Sequence, residues 1–138
     1  MTRPVGVLFV CIGNSCRSPM AEGFARHLAP DRFEASSAGV FPASIVQPET
    51  CAVMAEVGIP IDPRYVPRRV EDLNVDNVDL LVNMTGGHVE NLLPRFRGEL
   101  VVWSIPDPIG RNLAFYRTVR DVIAEHVRAL IGTAEERK

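Results

Sequence analysis

Short, unbroken apolar runs alternate along this chain with stretches whose apolar residues recur every three or four positions. The run VGVLFV (5–10) is continuous and β-branched, the pattern of a central parallel strand buried on both faces. Ser18 is a suitable N-cap and Pro19 a suitable first helical residue. A helix is therefore predicted from about 19 to 29, with Met20, Phe24 and Leu28 on one face. FEASSAG (33–39) reads as a second strand ending at a glycine, and PETCAVMAEV (48–57) as a helix with Pro48 at its start and Gly58 just past its end. IPIDPRYVPRR (59–69) holds three prolines and reads as a loop, followed by a helical turn at VEDLN (70–74). VDLLVNM (78–84) is a third strand, GGHVENLLP (86–94) a short helix closed by Pro94, and LVVWSI (100–105) a fourth strand. The last helix spans about 112–131. Phe115, Val119, Val122, Ile123, His126, Val127 and Leu130 share one stripe of it, and Arg117 and Asp121 form an i, i+4 pair on the other side.

No repeat, low-complexity segment or linker interrupts this alternation, so residues 1–138 are expected to form a single domain. Strands alternating with helices through short connections predict an α/β fold: a three-layer sandwich around a four-stranded parallel sheet, in the flavodoxin-like order 2-1-3-4. In such a sheet the ligand crevice lies beyond the carboxyl ends of the strands, where the order reverses beside the first strand. The segment FVCIGNSCRSP (9–19) falls at that place.

Composition narrows the function classes. With 138 residues, 46% hydrophobic and 23% charged, the chain can bury a core without staples. A net charge of −2 gives no electrostatic case for nucleic acid or an anionic membrane. No apolar run approaches the roughly 18 residues of a membrane span, and MTRPVGVLFVC reads better as a buried strand than as a secretion signal. Three cysteines, an odd and sparse number, argue against a disulfide framework and for a reducing cytoplasm.

Two of those cysteines, Cys11 and Cys16, share the loop with an arginine. The helix that follows points its N-terminus, with unpaired N–H groups and partial positive charge, back at residues 11–18. A strand–loop–helix turn containing Gly13 and Asn14 can curl its amides inward as a nest for an oxyanion, and Arg17 adds a planar fork that suits two of its oxygens. The same surroundings favour a thiolate at Cys11, a nucleophile aimed at the tetrahedral anion the loop holds. The spacing Cys-x5-Arg specifies little by itself; its placement between a buried strand and a helix headed by Ser18-Pro19 gives it meaning. The alternative is that Cys11 is a small buried hydrophobe and Arg17 a surface residue. A metal site is not expected, because Cys51 is distant and His27, His88 and His126 lie on separate elements without ligand spacing. No cofactor is implied. An acid for the leaving group is available in WSIPDP (103–108), where Asp107 between two prolines sits on a stiff loop over the crevice; taken alone it is equally a turn aspartate.

CIGNSCRS followed by PMAE, then SSAG (36–39) and IPDP (105–108), resembles the low-molecular-weight protein tyrosine phosphatase superfamily, which includes a group of arsenate reductases. The resemblance covers nearly the whole chain in the right order. It implies a phosphocysteine on Cys11 and oxyanion binding by the loop Ile12, Gly13, Asn14, Ser15, Cys16, Arg17 and Ser18. It implies Asp107 as acid and then as base for water, and Ser18 supporting the thiolate. Asn14 and Ser37 match positions that brace the loop from behind, though each also reads as an ordinary turn or strand-end residue. A loop curled around an anion brings Cys11 and Cys16 within disulfide reach, Cα atoms under about 7 Å apart. The resemblance implies redox protection by Cys16, trapping an oxidised Cys11 as a reducible disulfide; space-filling under the loop is the alternative.

Within the resemblance, several details lean towards the reductases. SAGVFPASIVQPET lacks the aromatic-bearing insert with which many tyrosine phosphatases wall the pocket, and Ile109-Gly110 stand where those enzymes carry tyrosines. Yet NMTGGHVENLLP has Thr85 and Leu92 or Leu93 where thioredoxin-coupled reductases have two further cysteines. Phosphatase chemistry requires only Cys11, Arg17 and Asp107, so a phosphomonoesterase acting on a phosphoprotein or small phosphate ranks first. An arsenate reductase handing its arseno-cysteine to an external thiol ranks second, and a non-catalytic flavodoxin-like binding module third.

Overall fold

The apolar run at the start of the chain must bury both faces, and the strand it forms does so by alternation. In the computed structural model, which describes residues 3–136, the elements follow in the order β1 (Val5–Cys11), α1 (Arg17–Leu28), β2 (Phe33–Gly39), α2 (Pro48–Glu56), β3 (Leu80–Asn83), β4 (Glu99–Val102) and α3 (Leu113–Glu136). Single 3-10 turns occur at Val70–Asp72 and Glu90–Leu92. Val7, Phe9 and Cys11 face one apolar cluster, together with Met20 and Phe24 of α1 and Tyr116, Ile123 and Val127 of α3. Leu8 and Val10 face the other, with Ala38, Val70, Leu81, Val89 and Leu93. The two-residue period of a strand thus splits one hydrophobic run between two cores.

The sheet is parallel throughout, in the order β2-β1-β3-β4. The three α-helices contribute to the first cluster, while the second is covered by the 3-10 turns and loops of 70–96. Among the described residues no helix is long and apolar enough to cross a membrane.

Four of the departures from the sequence reading have a clear local reason. The first helix begins at Arg17, with Cys16 as its N-cap and no side-chain cap bond. Ser18 is therefore not the cap: its hydroxyl is engaged with Asn14 and Cys11 instead. The stretch 86–94 forms only the turn Glu90–Leu92. Upstream, Asn83 ties the chain into a turn by accepting from the Thr85 amide (2.9 Å) and donating to the Gly87 carbonyl (2.7 Å), with Gly86 at φ 84°. The fourth strand ends at Val102, although Trp103 still donates to the Asn83 carbonyl (3.0 Å), and Pro106 and Pro108 beyond it have no N–H to give. The last helix starts after Asn112, whose Oδ1 accepts from the Phe115 amide (2.9 Å), and runs on to Glu136. On that helix Arg117 pairs across to Glu56 of α2 (2.8 Å) rather than with Asp121, which pairs with Arg120. Arg117 and Arg120 together hold the Glu56 carboxyl down to about 2.

Candidate active site

Parallel strands bring their carboxyl ends to one edge, where the loop leaving β1 meets the ends of the other three. Close approach there depends on Gly39 at the end of β2. A Cβ on it would lie 2.7 Å from the Ile12 carbonyl oxygen and 2.8 Å from the Asn14 amide nitrogen, distances no side chain tolerates.

Just beyond Gly39 the chain runs alongside the loop and takes its carbonyls. Val40 donates to Cys11 (3.2 Å), Phe41 to Ile12 (2.8 Å), Ala43 to Gly13 (2.9 Å) and Gln47 to Ser15 (3.0 Å), and the Thr50 hydroxyl also donates to Ser15 (2.9 Å). For the amides of residues 12–16 the described structure offers no protein acceptor. A loop with its acceptors satisfied from behind and its donors left over is an anion nest. Cys11, Ile12, Gly13, Ser15, Cys16 and Arg17 line a cavity of about 190 Å3 there.

Arg17 is buried, and one of its two terminal nitrogens is committed. Nη1 donates to the carbonyls of Met84 (2.7 Å) and Ile105 (2.9 Å), beyond β3 and β4. Both Nη1 hydrogens are then used, so the Nε–Nη2 edge remains as the two-pronged donor for an oxyanion. Nη2 lies 3.6 Å from Asp107 Oδ2, which places the candidate acid at the mouth of the same cavity. The other Asp107 oxygen accepts from the Ile109 amide (3.2 Å), the turn that the flanking prolines favour.

Cys11 is only 2% exposed, so a reagent reaches it through the cavity. Its sulfur lies 3.0 Å from the Ser18 hydroxyl and 3.4 Å from the Ser18 amide nitrogen, which donates to it. Behind Ser18 stands Asn14, completely buried and, among the described residues, the single non-glycine at positive φ (50°). Its Nδ2 donates to Ser18 (2.8 Å) and Ser37 (3.0 Å), and its Oδ1 accepts from the Arg68 amide (2.9 Å) and the Tyr65 hydroxyl (3.2 Å). Four bonds are all that a side-chain amide can make.

Cys16 turns its sulfur to the Tyr116 hydroxyl (3.6 Å) and the Ser15 hydroxyl (3.8 Å). Burial pushes its thiol up from the usual range, against the hydrogen bonds from Tyr116, Thr50 and Ser15. Burial likewise pushes the Tyr116 phenol up. All three cysteines are free thiols, and the described residues contain no cluster of three metal-ligating side chains.

The structure thus brings Cys11, Arg17 and Asp107 around one cavity. Ile12, Gly13, Ser15 and Cys16 join them, while the side chains of Asn14, Ser18 and Ser37 lie behind the loop. Sequence reasoning missed Tyr65 and Glu22, which meet Ser37 from a proline-rich loop and from α1; nothing in their spacing announces that contact. It also expected no aromatic wall. Phe41, 76% exposed, lines the same cavity as Ile109.

A family model for the low molecular weight phosphotyrosine protein phosphatase matches residues 6–138. The chain is 39% identical over 128 residues to a glutaredoxin arsenate reductase from Synechocystis sp., covering 91% of this chain and 95% of that protein. Its structure superposes on that of an arsenate reductase in the phosphate binding state with a TM-score of 0.84 at 37% identity, covering 94% of this chain and 98% of that one. It superposes on the YwlE arginine phosphatase from Geobacillus stearothermophilus with a TM-score of 0.81 at 28% identity, covering 96% and 92%. With this match and the cysteine loop described above, the chain belongs to the low molecular weight phosphotyrosine protein phosphatase family.

Proposed function

We propose that this protein is an arsenate reductase, a single catalytic domain in which Cys11 forms an arseno-cysteine that an external thiol resolves. The observation that carries the reading is the likeness to arsenate reductases at 37–39% identity over nearly the whole chain. The residues alone place a phosphomonoesterase first; these relatives reverse the order.

The loop amides and the Nε–Nη2 edge of Arg17 hold the arsenate oxygens while the Cys11 sulfur attacks arsenic. Asp107 supplies the proton with which one oxygen leaves as water. An external thiol then attacks the Cys11 sulfur. A mixed disulfide forms, the sulfur–arsenic bond breaks, and its electron pair leaves with As(III) as arsenous acid. A second thiol clears the disulfide, so two thiols are oxidised for each As(V) reduced. The name of the Synechocystis relative joins glutaredoxin to arsenate reduction, which makes a glutaredoxin with its thiol the first donor to supply. Dependence on such thiols fits a reducing cytoplasm.

A phosphatase remains the second reading, supported by Asp107 beside Arg17 and by the likeness to an arginine phosphatase. The deciding experiment assays purified protein side by side for arsenite release, with glutaredoxin and with several small thiols, and for p-nitrophenyl phosphate hydrolysis. Thiol-dependent arsenite release that disappears in Cys11→Ser is expected. Phosphate ester hydrolysis without arsenite from any thiol would overturn the first reading in favour of the second.

A further inference from the structure

The cavity over Cys11 changes character from floor to rim. Cys11 is 2% exposed, and a second reactant reaches its sulfur only through this space of about 190 Å3. The buried lining residues Ser15, Cys16 and Arg17 form its floor. Its rim is apolar. Among the described residues eight large apolar side chains stand exposed, and three of them, Ile12, Phe41 and Ile109, line this one cavity. A fourth, Ile45, lies on the ribbon that carries Phe41. Phe41 is the most exposed of the eight. Its amide is bonded to the Ile12 carbonyl (2.8 Å), and its ring belongs to neither apolar core. The residue is held in place by its main chain and left unused by the fold.

Arsenate and arsenous acid are small hydrated species that gain nothing from an apolar rim. The other reactant of the proposed reaction is a thiol, and the charges at the opening discriminate between thiols. The ribbon at 40–47 carries no charged residue. Two charged residues line the cavity: Arg17, whose free edge faces the oxyanion, and Asp107, whose charge is negative. Arg111, the next cation along the chain, stacks on the Phe115 ring (4.2 Å) and does not line the cavity. A small peptide thiol such as glutathione carries carboxylates and an ammonium group, and this opening offers its carboxylates no cation. A protein thiol set in an uncharged, apolar surface matches the rim, because apolar area is then covered on both partners.

We propose that Ile12, Phe41 and Ile109 form the docking surface for a dithiol protein, which they select over small charged thiols as the reductant of Cys11. This rests on the proposed function and narrows its external thiol to one class. Docking sets the partner's thiolate against the Cys11 sulfur. A sulfur–sulfur bond forms as the sulfur–arsenic bond breaks, and the electron pair leaves with arsenic. The partner's second thiol then attacks its own sulfur in the mixed disulfide, which returns Cys11 as a thiolate and leaves the partner oxidised.

The resolving step can be tested without arsenate. Cys11 is converted to its mixed disulfide with thionitrobenzoate, the site confirmed by mass spectrometry. Release of the coloured thiolate is then followed on adding reduced glutaredoxin or glutathione. Each rate is divided by that of the same thiol with the free disulfide reagent, which removes differences in intrinsic reactivity. On this scale the wild-type protein should favour glutaredoxin. Phe41→Ser combined with Ile109→Ser should slow glutaredoxin by roughly tenfold or more, as for loss of interface anchors, and leave glutathione unchanged. Phosphate affinity and melting temperature of this variant should stay near wild type, since both side chains are exposed. Phe41→Arg should speed glutathione by supplying the missing cation, while slowing glutaredoxin. Equal scaled rates for the two thiols in the wild type would overturn the proposal. So would a serine variant that slows both alike or neither. A higher KM for an aryl phosphate as the sole change would give the rim to an aryl ester instead. No arsenate enters this assay, so its failure leaves arsenate reduction by another thiol standing. Conversely, absence of arsenite with every thiol sinks the proposed function and not the docking rates.

Discussion

Two loops at the carboxyl edge of the sheet carry the candidate chemistry, and they are built in opposite ways. Residues 11–18 are buried almost throughout and held by the ribbon at 40–47, by Ser37 and by Arg68. The segment after β4 stands largely in solvent: Asp107 and Ile109 are exposed, and a turn bond from the Ile109 amide fixes the carboxylate. The lesson is a division of labour. Electrostatic stabilisation of an oxyanion works only if its donors need not reorganise, so that loop is locked. The proposed acid has to exchange its proton with water and let product past, which an open loop allows.

Four substitutions probe this contrast, in order of expected effect. Cys11→Ser should abolish turnover while phosphate and arsenate still bind, because the amides and Arg17 remain; a titration beside an activity assay checks both halves. Residual turnover near wild type would mean the locked loop does not carry the nucleophile.

Asp107→Asn should lower arsenate reduction by roughly 10²–10⁴-fold, the usual contribution of a general acid. It should lower p-nitrophenyl phosphate hydrolysis far less, because that leaving group needs little protonation. Equal losses on the two substrates would make the open loop structural rather than catalytic. Gly39→Ala attacks the locked side without touching any reacting group. Its methyl meets main-chain atoms at 2.7–3.0 Å, so the loop must shift. Overpacking of this kind costs about 1–3 kcal/mol, read as a lower melting temperature together with weaker phosphate binding. Stability lost with binding unchanged would show that the nest tolerates displacement.

The smallest effect is expected at the open rim. Phe41→Ala should raise KM for an aryl phosphate by roughly two- to tenfold, as for loss of an aromatic contact, and leave arsenate unaffected.

The fold and the grouping of the candidate residues around one cavity were legible in the sequence because their signals are local. An unbroken apolar run, a loop with Cys11, Gly13 and Arg17, and Asp107 between prolines each announce themselves within a few positions. The sheet order follows the expected 2-1-3-4. The bracing of the loop was only half legible. Asn14 and Ser37 were visible through resemblance, but Tyr65 and Glu22 reach Ser37 from 28 and 15 residues away, and no period or spacing encodes such a meeting. Ser18 shows a different limit. Its residue type suits a helix cap, yet the bond it makes to the thiol belongs to the assembled site. Phe41 was overlooked because one exposed aromatic in a polar connection looks like any other. The phosphatase-first ranking had another cause: it weighed Cys11, Arg17 and Asp107, which serve both candidate reactions, above the segment SAGVFPASIVQPET and Ile109-Gly110, which lean towards the reductases.

The ribbon at 40–47 has a consequence for anyone wishing to watch this site at work. Its amides at Val40, Phe41, Ala43 and Gln47 are bonded to the loop's carbonyls, so their exchange with deuterated solvent should be slow with or without an anion. The amides of residues 12–16 have no protein acceptor among the described residues, so on the proposed function their exchange should slow when an oxyanion enters. Neighbouring stretches of the same chain thus serve as signal and internal reference, and occupancy can be counted without a chromophore or a turnover assay.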